Sequence, residues 1–430
     1  MMTDKQQRAV DFGEGNVLVS ASAGSGKTCV MVNRIIRLIA EGKANVDEIL
    51  CVTFTVLAAS EMKQKIAAAI TERIRTADAE ESERLSRQLD MLPTANISTV
   101  HSFCKNLIKE FFYEAGVDPS FSVVSDSERE KLVKRAIDRY FDEMYESGDE
   151  KLELLLPVFF KRRSDAALKN LVVSVFNGIM TEPDPFKILD DGELYYTEEG
   201  VGKIYDELAA ELKAELKRFA DYAEGYAAEF AGVSEYENYV ALVINGLNFA
   251  AEGKTPAEIT ERLADALPRR PGKKKTDDEK ILRAEAAFKE FADEYGEFRR
   301  KKMKEYDLND FDEELAFAAD GLEIYRAFCG VVKGFAAAFA EEKREENCVD
   351  FSDFEHFALK VLQNEAIRNE VRARFKFVFT DEYQDTSGVQ EYLLRAVSND
   401  NLFMVGDVKQ NIYDFRGCNP LIFAEKRKLY

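Results

Sequence analysis

The sequence predicts an α/β protein, a parallel sheet whose chain is interrupted by a large helical insertion. Three observations carry this. Short apolar runs alternate with amphipathic stretches over residues 1–122 and again after Val349, while the residues between show helical spacing and few strand signals. A glycine-rich turn directly follows the first apolar run and opens a helix. Near the other end of the chain, a further apolar run finishes in two adjacent carboxylates.

In chain order, Asn16–Ser20 (NVLVS), Ile49–Thr53 (ILCVT) and Ile97–Val100 read as buried strands, each followed by a helical pattern. From Ser125 to about Asn347 the chain is rich in Ala, Glu, Lys, Leu and Phe at helical spacing. The aromatic stripes of residues 217–232 and 283–306 are assigned to a core-facing side of their helices. Pro268–Lys275 (PRRPGKKK) breaks this pattern as a basic loop, either a solvated linker or a contact for a phosphate backbone. Beyond Val349, Asp350–Leu362 reads as a helix, and Lys376–Thr380 (KFVFT) and Leu402–Val405 (LFMV) as strands. The expected organisation is therefore residues 1–122 and 348–430 as two parts of one α/β domain, with 123–347 as a helical domain inserted between them.

A length of 430 residues is enough for two or three domains. Hydrophobic residues at 46% and charged residues at 32% fit a soluble globular protein. The apolar stretch at 331–340 is too short for a bilayer span and contains Lys333. The charged start, MMTDKQQRAVDF, has no signal-peptide character. Six scattered cysteines without a C-x-x-C pair argue against a zinc site or a disulfide framework, so a cytoplasmic location is expected. A net charge of −21 excludes a general polyanion-binding surface, so a nucleic-acid site would have to be a local groove.

The chemistry lies in two motifs. Ala21-Ser22-Ala23-Gly24-Ser25-Gly26-Lys27-Thr28 sits between a strand and a helix. Gly24 and Gly26 let the backbone curl until its N–H groups face a phosphate at a helix N-terminus. Ala23 to Lys27 would cradle that phosphate, Lys27 would reach its outer oxygens, and Thr28 would hold Mg²⁺. In the second motif, Phe377-Val378-Phe379-Thr380-Asp381-Glu382 delivers two carboxylates to the C-terminal end of a strand, where open α/β sheets bind ligands. Asp381 is placed to hold Mg²⁺, and Glu382 to orient and deprotonate a hydrolytic water. Together, in this order, the two motifs point to nucleoside triphosphate hydrolysis.

With these residues in view, the sequence resembles the UvrD-like superfamily 1 DNA helicases, and within them the AddA-type helicase–nuclease proteins. Thr3-Asp4-Lys5-Gln6 is similar to the family's N-terminal glutamine motif, which implies that Gln6 reads adenine. The phosphate loop, Thr53-Phe54-Thr55, Thr99-Val100-His101-Ser102-Phe103-Cys104, Asp350-Phe351-Ser352-Asp353-Phe354, DEYQDT (381–386) and Gly406-Asp407-Val408-Lys409-Gln410 match further motifs in order. The resemblance implies a RecA-like P-loop domain carrying a helical domain, with ATP and Mg²⁺ as cofactors. It implies that Gln410 senses the terminal phosphate, and it puts Arg416 where it could link the DNA side to the carboxylates or serve in a structural ion pair. It places Phe54, His101, Tyr413 and Phe415 along a groove for single-stranded DNA, where aromatic rings stack on bases without regard to sequence. The implied partners are single-stranded and duplex DNA and an AddB-like protein, with 3′→5′ movement during double-strand-break repair and recombination.

Three residues depart from the family pattern. Val56 stands where Asn is usual, Asn411 where Ser is common, and Asp414 where a basic residue is frequent, which would repel a phosphate. Fewer than 20 residues follow Arg416, so the chain is expected to be the N-terminal part of a longer protein and to turn ATP over poorly by itself. Two other readings stay open: a RecB-like or stand-alone UvrD/PcrA-type helicase, and a nucleotide-binding interaction module without turnover.

Overall fold

The computed structural model describes residues 2–22, 24–159, 164–226, 229–230, 232–272, 277–308, 310–407, 409 and 420–429. Five strands form one parallel sheet: β1 (Val17–Ser20), β2 (Ile49–Thr53), β3 (Ile97–Thr99), β6 (Phe377–Thr380) and β7 (Leu402–Gly406), in the order β1-β7-β6-β2-β3. A separate two-residue parallel ladder pairs β4 (Ser122–Val123) with β5 (Cys348–Val349). Such short strands carry no readable period, and the sequence holds no sign of them.

The main sheet is covered on both faces, which is why its central strands read as unbroken apolar runs. Successive side chains go to opposite faces. Leu50, Val52, Val378, Leu402 and Met404 enter one core with Phe103, Cys104, Leu107 and Phe354. Their neighbours Ile49, Cys51, Phe379, Phe403 and Val405 enter the other, with Met31, Ile35, Met62 and Ile66. The expected strand at Ile97–Val100 ends one residue early. Thr99 takes an extended conformation and its side chain accepts the Ser102 N–H, so Val100 is already the first residue of a helix running to Glu110. The expected helix near Asp350 is present as Phe351–Gln363, capped by a reciprocal Asp350–Asp353 box.

By contact density the chain divides into two compact units, residues 1–188 with 330–430, and residues 189–329. The sheet belongs to the first. In the second, the helices Glu198–Tyr226, Ser234–Ala251, Pro256–Asp265 and Glu279–Glu305 enclose a core of their own. The aromatic stripes are that core: Phe230, Phe291 and Tyr295 are fully buried, and the ring of Tyr236 stacks on that of Phe288 at 4.4 Å. Among the described residues no helix is long and apolar enough to cross a membrane.

Candidate functional site

Every described candidate residue of the sheet domain except Gln6 follows the C-terminal end of a strand. Taken in spatial order, the strand ends present the phosphate loop (after β1), Asp407 (after β7), Asp381 and Glu382 (after β6), Phe54 (after β2) and His101 (after β3). The phosphate loop and the aromatic candidates thus occupy opposite halves of a single sheet edge.

The loop's curl depends on glycine. Gly24 and Gly26 have φ of +71° and +83°, a region that side-chain-bearing residues rarely enter. Gly26 caps the helix Lys27–Ala40, and its carbonyl accepts the Val30 N–H. Gln6 comes from the helix Asp4–Asp11, held at its start by a Thr3–Gln6 capping box. The buried Arg34 fixes the far end of that helix by donating to the carbonyls of Val10 at 3.2 Å and Phe12 at 2.6 Å. So placed, Gln6 Nε2 donates to the Ser25 carbonyl at 2.7 Å. The family resemblance implies a base-reading role for Gln6, and the sequence holds no sign of this brace on the loop.

The carboxylates lie across β7 from the loop. Lys27 Nζ is 3.2 Å from Glu382 Oε2, with Lys27 buried and Glu382 partly exposed. Asp381 is buried; its backbone N–H donates to the Val52 carbonyl at 3.2 Å, and its Oδ1 accepts the Glu382 N–H at 3.0 Å. Burial, followed by the charge of Glu382, pushes the Asp381 carboxyl above its ordinary range, against the pull of that N–H and of Lys27. Glu382 itself adopts φ +49°, a left-handed conformation uncommon for a residue with a side chain.

Two further residues belong to this arrangement. Gln384 is buried; its Nε2 donates to Glu382 Oε2 at 2.9 Å and to Asp385 Oδ2 at 3.2 Å, and its Oε1 accepts the Asp407 N–H at 2.9 Å. Asp385 is also buried, and burial with the nearby Glu382 charge pushes its carboxyl up to about 6. Their inclusion in the DEYQDT motif was the available signal, but the sequence alone assigned them no task.

At the other half of the edge, Phe54 is half-buried, and Val56 and Leu57 after it are exposed. The His101 ring lies 5.2 Å from that of Phe351, and His101 Nε2 is 3.3 Å from Glu355. Glu355 is buried and takes a 2.7 Å bond from Gln390 Nε2. Phe351, itself substantially exposed, sets a ring beside that of His101. In the basic loop, Arg270 is committed internally, pairing with Asp293 at 2.7 Å and donating to the Ala292 carbonyl. Ala23, Gln410, Asn411, Tyr413, Asp414, Phe415, Arg416 and Lys273–Lys275 lie outside the described residues.

Residues 2–430 match the sequence profile of the UvrD/REP helicase N-terminal domain. The chain belongs to the UvrD/REP helicase family. Within the family, it is similar to the AddA proteins, which are subunits of ATP-dependent helicase/nucleases. It is 31% identical over 462 residues to that of Syntrophomonas wolfei, a match covering 100% of this chain and 35% of the relative. Identity is 35% over 454 residues to that of Pediococcus pentosaceus (100% and 36%) and 34% over 448 residues to that of Staphylococcus haemolyticus (99% and 36%). The chain spans about a third of the length of these relatives.

Proposed function

We propose that this chain is the ATP-binding part of an ATP-dependent DNA helicase of the AddA type. The observation that carries the proposal is the 3.2 Å approach of the phosphate-loop Lys27 to Glu382 at the C-terminal edge of the sheet. Family membership supplies the reaction class.

The residues present fit a magnesium nucleotide. Gly24 and Gly26 leave a backbone cradle, open beside Gly24, where an added Cβ would meet no atom within 4 Å. Ser25 Oγ is buried in that loop with no hydrogen-bond partner among the described residues. Thr28 and Asp381 are the oxygen donors that would hold the metal, and the raised proton affinity of Asp381 is what a cation there would relieve. When bound, Mg²⁺ neutralises charge on the phosphate oxygens.

The chain's own groups then divide the work. Loop N–H groups and the N-terminus of the helix Lys27–Ala40 bind the phosphates. Lys27 exchanges its Glu382 partner for a phosphate oxygen. Glu382, relieved of that pair, accepts a proton from the attacking water. Gln6 braces the loop and faces the base, and Gln410 senses the terminal phosphate. Phe54 and His101, with Tyr413 and Phe415, line the single-strand groove, and Arg416 connects it to the carboxylates. Residues 1–122 and 348–430 form the RecA-like domain and 123–347 the helical domain. The full activity we propose is 3′→5′ movement on single-stranded DNA in double-strand-break repair, in the cytoplasm, with an AddB-like partner.

The test is nucleotide binding and ATP turnover by this chain, with and without single-stranded DNA, beside a Lys27→Ala control. Binding that depends on Lys27 supports the reading; nucleotide affinity unchanged in Lys27→Ala overturns it.

A further inference from the structure

We propose that Gln384 is a positioning residue that ties the Glu382 carboxylate to the backbone at the end of β7, so that the two move together. The inference rests on the ATP-site reading above and deepens it.

Glu382 Oε2 receives two donors, Lys27 Nζ at 3.2 Å and Gln384 Nε2 at 2.9 Å. Its Oε1 has no hydrogen-bond partner among the described residues, and the side chain is 41% exposed, so the carboxylate is anchored through one oxygen. A phosphate in the loop competes for Lys27, and when the lysine leaves, Gln384 still grips the anchored oxygen. The same amide reaches the neighbouring strand end, because its Oε1 accepts the Asp407 N–H at 2.9 Å. Asp407 Oδ1 in turn accepts the Lys409 N–H at 3.1 Å.

The NH₂ group and the carbonyl of a planar amide belong to one rigid group, so one moves without the other only if the whole amide pivots. Displacement of Glu382 is therefore passed to Asp407 through one rigid unit. The amide has little room to absorb the motion itself. Gln384 is 2% exposed, and a Cβ built on Gly406 would lie 2.6 Å from its Oε1. Close packing of this kind transmits displacement. The connection also has a direction that suits a motor: from the carboxylate beside the phosphate loop to the backbone that leads into residues 410–416.

Two substitutions separate the functions of the amide. Gln384→Glu keeps an acceptor for the Asp407 N–H but loses the donor to Glu382; Gln384→Met loses both. The readouts are the single-turnover hydrolysis rate of the full chain, its affinity for ADP with Mg²⁺, and hydrogen exchange at the Asp407 amide. We expect both variants to hold nucleotide within about threefold of wild type and to hydrolyse at least about tenfold more slowly, the scale of a misplaced reacting group. Exchange at Asp407 should quicken in Gln384→Met and stay slow in Gln384→Glu. In the wild-type chain, saturating ADP with Mg²⁺ should change exchange at Asp407, a measurement independent of whether either variant folds. Folded variants with the wild-type rate, losses of rate and affinity in parallel, or an Asp407 amide indifferent to nucleotide would each overturn the proposal. If Lys27→Ala leaves nucleotide binding intact, the ATP-site reading itself fails, and this inference with it.

Discussion

Lys27 and Glu382, 355 positions apart in sequence, meet at 3.2 Å across the end of β7. The lysine is buried, and a buried ammonium requires an anion. Glu382 supplies one, and in doing so competes with any phosphate for the same cation. Glu382→Gln should therefore leave ATP affinity unchanged or raise it a few-fold, while turnover falls about 10²–10⁴-fold with the loss of the base. Lys27→Ala should lower affinity itself. Fluorescent-nucleotide titration beside single-turnover hydrolysis separates the two; Glu382→Gln turning over at the wild-type rate would remove the residue from the reaction.

Gln6 predicts a different signature. Its amide holds the Ser25 carbonyl at 2.7 Å, so its loss acts on the loop as well as on any contact with the base. Besides its half of the Thr3 capping box, Gln6→Ala gives up the neutral hydrogen bond to the loop, worth about 1 kcal/mol, roughly a fivefold loss in affinity that should fall on ATP and GTP alike. Any loss beyond that, confined to ATP, measures base recognition. A purely uniform loss would assign Gln6 to bracing the loop alone.

The helix cap at Asp350 makes stability depend on pH. Asp350 lies 3.5 Å from Lys343, accepts the Asp353 N–H at 3.0 Å and accepts from Arg129 Nε at 2.9 Å, and despite its burial these partners keep its carboxyl below its usual value. Asp353, 2.6 Å from the same lysine, is pushed by burial and by the Asp350 charge from 3.8 up to about 6. Between about pH 4 and 6 the folded chain thus keeps a proton on Asp353 that the unfolded chain has released. That contribution is fully present below the window and is lost as pH rises through 6. Melting curves from pH 4.5 to 7.5 should show the wild type losing ground to Asp353→Asn as pH rises. Parallel curves would show that Asp353 does not titrate in this range.

The sheet was legible because its central strands are buried on both faces and must be apolar throughout, as ILCVT and LFMVG are. The phosphate loop and the acidic pair were legible because their chemistry demands particular residue types at fixed spacing. What the sequence hid is what depends on long-range approach. Gln384 is one polar residue among several in DEYQDT until the fold brings Asp407 within 2.9 Å of it. The Gln6 brace, the Arg34 clamp on the same helix, and the pairing of His101 with Phe351 and Glu355 all join residues far apart in the chain. The two-residue β4–β5 ladder lacks the length for any period.

Gly406 offers a steric check on the same junction. A methyl group there would lie 2.6 Å from Gln384 Oε1, 2.8 Å from the Phe423 ring and 3.2 Å from the Gln384 backbone nitrogen, and the last of these cannot swing aside. Overpacking of this kind costs about 1–3 kcal/mol, and relief by moving Gln384 would disturb its hold on Glu382. Gly406→Ala should therefore lower both the melting temperature and turnover. Gly13→Ala is the matching control: an added Cβ there meets nothing within 4 Å, and its φ lies outside the left-handed region. It should be neutral or slightly stabilising, by less than about 1 kcal/mol. If Gly406→Ala melted lower yet kept full turnover, the strain would have been taken up by Phe423, and the Gln384 junction would not be the part that yields.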